Sequence, residues 1–369
     1  MIYFLINNNY QYYDLKLHLL DINKQDVSLI IVPYTLDESE LTGFGSTYRY
    51  PRASKPGLSA QVRNYIRQRK LVENEIHPGR ADVLFFYTEF DLLNQHIVTH
   101  FKRNGARVYL IEDGGLATYL PFRMLDAEPL SVRENIKQWV YRSLPSLHTL
   151  RLHKLNGRTF PWMADKYIDG VCMYRPVSIR RNIPTILVRR TVRQKKVLPT
   201  HGTVVFLNEK MYQTYQNSED YLAGLLRIME GLCRGFDIVF FKFHPREDAV
   251  WRYRIAEQVL DKFSGVRIIE DDSGIEEVIE SYRPSVAASY FSAGLLNLLD
   301  RGVEPLYLYH LLPDLSAQPI CREATAVLLE LGYNFITDLS EANSGYKSGL
   351  MNSSHETAAI PLTDLVDRK

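Results

Sequence analysis

Short apolar runs alternate with amphipathic segments along most of the chain. The runs are rich in β-branched and aromatic residues, which is typical of strands buried on both faces of a parallel sheet. Strands that alternate with helices predict βαβ units, and therefore an α/β fold. The predicted strands are Ile2–Ile6, Val27–Val32, Val83–Tyr87, Val108–Ile111, Thr203–Leu207, Ile238–Phe243, Val266–Ile269, Ser285–Ala288 and Leu306–Tyr309. The predicted helices are Gln61–Glu73, Leu92–Arg103, Val132–Leu144, Asp220–Arg234, Val250–Phe263, Gly274–Tyr282 and Ala293–Leu299.

The pattern weakens between residues 131 and 196, which separates two α/β halves. We therefore predict a Rossmann-like domain at 1–185, a second Rossmann-like domain at 186–345, and a loosely held tail at 346–369 that is rich in Ser, Asn and Thr. The two domains are expected to face each other across a cleft. The segment Gly43–Gly57 is rich in Gly, Ser, Tyr and Pro and is expected to be a surface loop.

A basic run, Arg180–Lys196, lies between the two halves. It is either a solvated linker or a patch that attracts acidic lipid headgroups or an anionic polymer. In the second case the protein would touch the inner face of a membrane, or an assembly of other proteins there, through this run.

Composition narrows the class of protein. With 369 residues, 46% hydrophobic residues and a net charge of +1, the chain is expected to be globular and to have no general attraction for nucleic acid. Its three cysteines are far apart, which argues against both a disulfide framework and a cysteine metal site and favours the cytoplasm. No apolar run approaches the roughly 20 residues of a membrane span, and the first residues resemble a strand more than a signal peptide.

Polar clusters directly follow three of the predicted strands. Since the carboxyl ends of parallel strands are where ligands bind in α/β sheets, these clusters are the candidate site. In the second cluster a proline ends the strand, because it cannot donate to the ladder and disfavours helix before it. The clusters are Glu112-Asp113-Gly114-Gly115, His244-Pro245-Arg246-Glu247 and Ser289-Tyr290-Phe291-Ser292-Ala293-Gly294. Facing domains would bring all three to one cleft.

The three clusters have complementary chemistry. A serine and free backbone N–H groups at a helix start suit a phosphate, and His244 and Arg246 would add positive charge. A histidine can also protonate a leaving phosphate. Glu112 and Asp113 offer a carboxylate base for an incoming hydroxyl. Together they indicate displacement of a phosphate leaving group from a sugar by an acceptor hydroxyl.

The set of motifs resembles that of bacterial sialyltransferases of the two-domain GT-B type, including lipooligosaccharide sialyltransferases and capsular polysialyltransferases. The resemblance rests on the acidic pair before Gly114, on His-Pro after an aromatic strand, and on the later serine motif. It implies a CMP-activated sialic or other nonulosonic acid as donor, a glycan as acceptor, inversion at the anomeric carbon, and no metal or other cofactor. It makes the first domain the acceptor side and the second the nucleotide-sugar side.

The resemblance also implies roles for individual residues. Glu112 would be the general base, with Asp113 structural or a substitute, and His244 would act on the CMP phosphate with its neighbours Pro245 and Arg246. Glu277, or alternatively Glu276, would hold the ribose hydroxyls. Ser292 matches the second serine of a phosphate-binding pair, while Phe291 stands in place of the first, so Ser289 is the candidate substitute.

Three alternatives remain at this stage. The donor could be another CMP-sugar such as Kdo, pseudaminic or legionaminic acid. The protein could be a non-catalytic nucleotide- or glycan-binding component of a capsule assembly complex. It could also be a UDP-sugar transferase of the same fold. An ATP- or GTP-hydrolysing enzyme is not expected, because the Gly-x-x-x-x-Gly-Lys-Ser/Thr loop is missing from the sequence.

Overall fold

The computed structural model describes residues 1–19, 22–32, 41–50, 57–124, 128–155, 158–190, 198–210, 218–244, 247–270, 274–292, 294–339, 342, 346–350 and 359–367. The chain divides into two compact units. The first comprises Met1–Asp113, Pro121–Arg193 and Ser353–Lys369, and the second comprises Gly114–Leu120 and Gln194–Asn352.

Nine strands and five helices precede residue 190 in the described ranges, and one further strand and helix follow residue 359. The strands are β1 (Ile2–Ile6), β2 (Val27–Ile31), β3 (Ser46–Arg49), β4 (Val83–Phe86), β5 (Arg107–Ile111), β6 (Arg151–Leu155), β7 (Arg158–Trp162), β8 (Gly170–Met173), β9 (Thr185–Arg189) and β15 (Ile360–Pro361). The helices are α1 (Asn9–Lys16), α2 (Leu58–Glu75), α3 (Leu92–Arg103), α4 (Leu116–Arg123), α5 (Val132–Arg142) and α12 (Thr363–Asp367).

The first unit is built on a parallel sheet of eight strands, in the order β15-β9-β8-β5-β4-β1-β2-β3. Every side chain of β1, β2 and β4 is buried, as expected for central strands covered on both faces. Asn8 and Asp91 accept hydrogen bonds from the first-turn N–H groups of α1 and α3, which fixes where these helices begin. The order reverses between β1 and β4, so the ligand-binding crevice expected of such a sheet lies at their carboxyl ends. Separately, β6 and β7 form an antiparallel hairpin.

The second unit contains the remaining elements. They are β10 (Thr200–Leu207), α6 (Ser218–Gly235), β11 (Ile238–Lys242), α7 (Ala249–Lys262), β12 (Val266–Ile269), α8 (Ile275–Tyr282), β13 (Pro284–Ser289), α9 (Leu295–Leu298), β14 (Glu304–Tyr307), α10 (Pro313–Ser316) and α11 (Pro319–Glu330). The strands form a parallel sheet in the order β12-β11-β10-β13-β14. This is the Rossmann order 3-2-1-4-5, and its reversal point lies between β10 and β13.

Every predicted strand and helix is confirmed, with ends that shift by no more than a few residues. The expected loop Gly43–Gly57 is corrected in part, because β3 lies inside it and pairs with β2 at the sheet edge. β3 was not predicted because its side chains are only half-buried or exposed, so it lacks the apolar run of a central strand.

The expected boundary at 185 and the expected loose tail also differ from the structure. β9 begins at Thr185 and pairs with β8, so the first unit continues to Arg193. In the described part of the tail, β15 pairs with β9, and Leu362 and Leu365 are buried in the core of the first sheet. Arg107 donates hydrogen bonds to the carbonyls of Leu365 and Val366, at 2.7 and 2.6 Å, and so holds this segment in place.

Candidate active-site residues at two sheet edges

Asparagine side chains connect the two sides of the reversal point in the first sheet. Asn7 follows β1, and its Oδ1 accepts a hydrogen bond of 2.9 Å from Asn94 Nδ2. The same Asn94 amide donates to the carbonyl of Thr88, beyond β4, at 2.7 Å. Asn7 Nδ2 also donates to the carbonyl of Val32 at 3.0 Å. These amides hold the loops after β1, β2 and β4 together at the carboxyl edge.

Glu112, the predicted general base, is fully buried directly after β5. Its Oε2 accepts a hydrogen bond of 2.9 Å from the backbone N–H of Tyr174, and its Oε1 lies 4.0 Å from Arg175 Nη1. Its own N–H donates to the carbonyl of Cys172 at 2.9 Å. Glu112 is thus bound to the loop after β8, where its carboxylate is covered. This placement suits a structural role better than contact with a substrate.

Asp113, the predicted substitute, is half-buried at the same edge. Its Oδ2 accepts a hydrogen bond of 2.8 Å from Gln11 Nε2, and Gln11 is held in turn by the N–H of Asn7, which donates to its Oε1 at 2.7 Å. Burial raises the pKa of Asp113 to about 7, the bond from Gln11 opposes the rise, and the charges of Asp14 and Glu112 add to it. A carboxylate with a pKa near neutrality is matched to general base catalysis.

The glycines that follow Asp113 are required by the backbone. Gly114 and Gly115 have φ angles of 78° and 59°, in the left-handed region that favours glycine. A Cβ on Gly114 would meet no atom within 4 Å, so the chain is open at this turn. The chain therefore turns sharply after Asp113, in a backbone conformation that favours glycine.

A buried ionic cluster supports the helix that carries Gln11. Asp14 on α1 accepts hydrogen bonds from Arg190 Nε at 2.8 Å and from the hydroxyls of Tyr87 and Tyr174. The Arg190 guanidinium stacks over the Tyr174 ring at 4.0 Å. Burial alone would raise the pKa of Asp14, but Arg190, His18 and Tyr174 hold it well below its usual range. The cluster fixes α1, and with it the amide that contacts Asp113.

Among the described residues of the basic run, Arg181 and Arg190 form internal ion pairs. Arg190 bonds Asp14, and Arg181 is 7% exposed, with its guanidinium against Glu89 and 2.7 Å from Asp165 Oδ1. These residues are therefore not part of a solvated linker or of an open patch, as the sequence suggested. The side chains could not be recognised as paired because their partners lie as far as 176 positions away. Arg193, Lys195 and Lys196 lie outside the described residues.

In the second unit, His244 lies where the sequence placed it. β11 ends at Lys242, and His244 follows as a half-buried residue at the carboxyl edge. Its carbonyl accepts a hydrogen bond of 2.8 Å from the N–H of Glu247. Pro245 and Arg246, predicted to bind phosphate, lie outside the described residues.

The serine motif is divided between two roles. Ser289 is fully buried, and its Oγ donates to the carbonyl of Leu207 at 2.9 Å, so it joins β13 to β10. Ser292 is half-buried in the loop beyond. The helix that follows, α9, has only four residues. Such a helix offers little dipole to a phosphate, so the predicted helix-start site is reduced to the loop and the Ser292 hydroxyl.

Glu276 and Glu277 occupy the first turn of α8, after β12. Glu276 is half-buried, and its carbonyl accepts a hydrogen bond of 3.0 Å from Arg301 Nη1. Glu277 is exposed. Of the two, Glu277 has the side chain that a ligand could reach from solvent.

Asn208 and Glu209 were missed by the sequence analysis, although they follow β10 at the reversal point. Asn208 is 2% exposed, accepts a hydrogen bond of 3.0 Å from the Tyr221 hydroxyl and donates to Glu247 Oε2 at 3.2 Å. It thereby connects Glu247 to the end of β10. The signal was present, because the pair follows the predicted strand Thr203–Leu207 as the recognised clusters follow theirs.

Glu209 joins the loops at the two sides of this reversal point. Its Oε2 accepts a hydrogen bond of 2.7 Å from the N–H of Phe291. Burial raises the pKa of Glu209 to about 7, and the bonds from Phe291 and Ser289 limit the rise. The loop that carries Ser292 is therefore anchored by a carboxyl group.

The described residues contain no group of three or more His, Cys, Asp or Glu side chains arranged for a metal ion. None of the helices described is both long and apolar enough to cross a bilayer.

Comparison with known proteins shows the fold. By sequence the chain matches no protein-family model and no curated protein. Among solved structures, the UDP-GlcNAc 2-epimerase of Methanocaldococcus jannaschii is similar, with 12% identity, a TM-score of 0.52, and coverage of 95% of this chain and 94% of that one. A putative UDP-N-acetylglucosamine 2-epimerase from Listeria monocytogenes is 8% identical, with a TM-score of 0.51 and coverage of 95% and 91%.

The UDP-GlcNAc 2-epimerase of Neisseria meningitidis, solved with UDP-GlcNAc bound, is 12% identical, with a TM-score of 0.50 and coverage of 93% and 89%. Identities this low establish a common fold and leave the activity open. The chain has the GT-B fold, with parallel sheets in two α/β domains. This confirms the fold class predicted from the sequence.

Proposed function

We propose that the protein is an inverting, metal-independent glycosyltransferase that moves a sialic acid, or a related nonulosonic acid, from a CMP-activated donor to a glycan hydroxyl. The acceptor O–H attacks the anomeric carbon, the bond from that carbon to the phosphate oxygen breaks, and CMP leaves with the electron pair. The proton of the acceptor passes to the enzyme. Capsule or lipooligosaccharide synthesis would use this reaction.

The observation that carries the proposal is the state of Asp113. It follows β5 at the carboxyl edge, is oriented by Gln11, and has a pKa raised by burial to about 7. Such a group takes a proton from a hydroxyl at neutral pH and returns it to water. We therefore assign the base to Asp113 and give Glu112, which is fully buried, the structural role.

The second unit holds the donor in this proposal. His244, after β11, neutralises and protonates the departing phosphate, and the hydroxyl of Ser292 adds a hydrogen bond. Glu277, exposed on the first turn of α8, accepts from the ribose hydroxyls. Fold neighbours support a sugar-nucleotide donor, since the Neisseria enzyme was solved with UDP-GlcNAc.

The second candidate function is that of a UDP-sugar enzyme, since the same neighbours are UDP-GlcNAc 2-epimerases. A UDP-sugar enzyme of this fold would use the same sheet edges with a uracil nucleotide. Other CMP-sugars, such as CMP-Kdo, share the leaving group and fall within the main proposal. A non-catalytic binding component would bind the nucleotide without releasing it from a sugar.

Thermal unfolding with CMP, UMP and UDP, each with and without magnesium, tests the proposal. A ligand that binds only the native state stabilises it by roughly 2.7 kcal/mol at about 100 times its Kd. We expect CMP to raise Tm without magnesium, and His244→Ala to reduce that rise, because it removes a phosphate contact. His201→Ala is the matched control, since His201 is an exposed residue of β10 and should leave the rise unchanged.

A rise with UMP or UDP in place of CMP would contradict the CMP donor and favour the second candidate. A CMP response that His244→Ala leaves intact would contradict the phosphate role of that residue. CMP binding without CMP release from a CMP-sugar and a glycan acceptor would favour the binding component.

A further inference from the structure

Helix α5 presents an apolar stripe to solvent. Val132, Ile136 and Trp139 are 78%, 57% and 71% exposed. Their spacing of four and three residues places them on one face of the helix. Exposure of large apolar side chains to water is unfavourable. A contiguous row of a valine, an isoleucine and a tryptophan therefore marks an interaction surface.

The helix itself is firmly fixed, so this exposure does not come from a frayed end. Ser131 and Glu134 form a capping box at its start. On the opposite face Tyr141 is buried in a small apolar cluster with Tyr65 of α2, and its hydroxyl donates to Gln61 Oε1 at 2.6 Å. The stripe is therefore the outward face of a helix whose inward face is packed.

Basic residues border the stripe. At 100° per residue, Arg133 and Arg142 lie on its two sides, and both are exposed. Glu134 is the only acidic residue in α5, and it is engaged by Ser131 and by the Thr159 hydroxyl. The outward face of α5 therefore combines an apolar centre with a positively charged border.

The neighbouring helix α2 has the same character. Its outward residues Arg63, Arg67 and Lys70 are exposed, and Ile66 beside them is 40% exposed. Its inward residues Tyr65 and Val72 are buried. Two helices packed on one cluster thus both direct basic and apolar side chains outward.

We propose that the outward face of α5, formed by Val132, Arg133, Ile136, Trp139 and Arg142, docks on the surface of a membrane that contains anionic lipid. An amphipathic helix with tryptophan and aliphatic residues on one face and arginines at its border lies at the level of the headgroups. The arginines pair with lipid phosphates, and the stripe enters the acyl boundary. A purely electrostatic partner such as an acidic glycan would leave three large apolar side chains unused. This docking is independent of the nucleotide that the enzyme uses.

Helix α7 in the second unit provides a matched comparison. It also exposes apolar residues, Val250, Tyr253 and Leu260, at 74%, 71% and 50%. The same face carries Glu257, one turn from Tyr253, so it lacks the uniformly basic border of α5. The exposed fractions of the apolar side chains are similar in the two helices, and the charges beside them differ.

Flotation with vesicles tests the proposal on the full-length protein. We expect it to float with vesicles of phosphatidylcholine and phosphatidylglycerol, and to bind at least tenfold more weakly to phosphatidylcholine alone. Trp139→Ser should weaken binding about tenfold, since it removes a large apolar group. The pair Arg133→Gln and Arg142→Gln should weaken it about fivefold per residue and reduce its salt dependence.

The control variant is Val250→Ser with Tyr253→Ser on α7, which should float as the unchanged protein does. All these residues are exposed, and Arg142 Nε also donates to the carbonyl of His148 at 3.2 Å, so only variants that retain the far-UV circular dichroism and Tm of the original are compared. Equal binding to both vesicle types, or no binding to either, would overturn the proposal. So would full release from anionic vesicles by oligosialic acid, which would assign the surface to an acidic glycan.

Discussion

Asp113 in the first unit and Glu209 in the second are two carboxyl groups with similar pKa values. Each follows a parallel strand, each is half-buried, and burial raises the pKa of each to about 7. They differ in what holds them. Asp113 is held by the side-chain amide of Gln11, while Glu209 accepts from the backbone N–H of Phe291 and contacts the Ser289 hydroxyl. A raised pKa alone therefore does not identify a catalytic group.

The kind of partner separates the two roles. The bond from Gln11 comes from a side chain, so one substitution can remove it without moving the backbone, and Asp113 lies next to the glycine turn. A backbone amide cannot turn without moving its loop, so Glu209 is suited to fixing the loop of Ser292 in place. Mutations at the two positions should thus have different consequences.

The largest expected effect is the loss of activity on Asp113→Asn. Removal of a general base lowers the rate on the order of 10²–10⁴-fold, whereas Glu209→Gln retains an oxygen that accepts from Phe291 and should change the rate by less than about tenfold. Release of CMP from CMP-sialic acid in the presence of a glycan acceptor measures both. Similar losses in the two variants would remove the distinction between base and anchor.

A smaller effect concerns pH. Asp113 must be deprotonated to act, so kcat/KM should fall as pH drops through about 7. Gln11 stabilises the carboxylate form by its hydrogen bond, so Gln11→Leu should move the inflection to higher pH by about one unit. Glu209→Gln is the control and should leave the inflection unchanged. If Gln11→Leu lowered the rate equally at all pH values, Gln11 would have a purely structural role.

The smallest effect is expected at Ser289. Its Oγ donates to the carbonyl of Leu207, so Ser289→Ala should lower the free energy of unfolding by about 1 kcal/mol, measured by urea denaturation. The Tm rise caused by CMP should remain, because this buried hydroxyl already has Leu207 and Glu209 as partners. Ser292→Ala is the matched variant and should reduce that rise. The reverse pattern would restore Ser289 as the phosphate ligand.

Much of the fold could be predicted because its signals are local. The aromatic run before His244 and the proline after it determine the end of β11 from residues next to each other. The same holds for Glu112 and Asp113 after β5. What the sequence could not determine was which of the two carboxyls turns inward, since this depends on Tyr174 and Gln11, at separations of 62 and 102 positions.

Three of the strands that the sequence analysis missed share a physical cause. β3 and β9 contain partly exposed residues, and β15 has only two, so none has the continuous apolar pattern of a central strand. The arginines around β9 suggested a solvated linker because their partners Glu89 and Asp14 are distant in sequence. A run of basic residues in a sequence therefore predicts exposed side chains only where these side chains do not pair with buried carboxylates.

The pairing of β15 with β9 has a consequence for the order in which the chain folds during synthesis. The carbonyls to which Arg107 donates lie 258 and 259 positions further along the chain. The first sheet is therefore complete only after the whole second unit has been translated. Until then β9 is an open edge, with unpaired backbone groups that can join another strand. A ribosome-bound chain would thus carry a finished second unit beside an unfinished first one. Contacts so distant also slow the last step of folding.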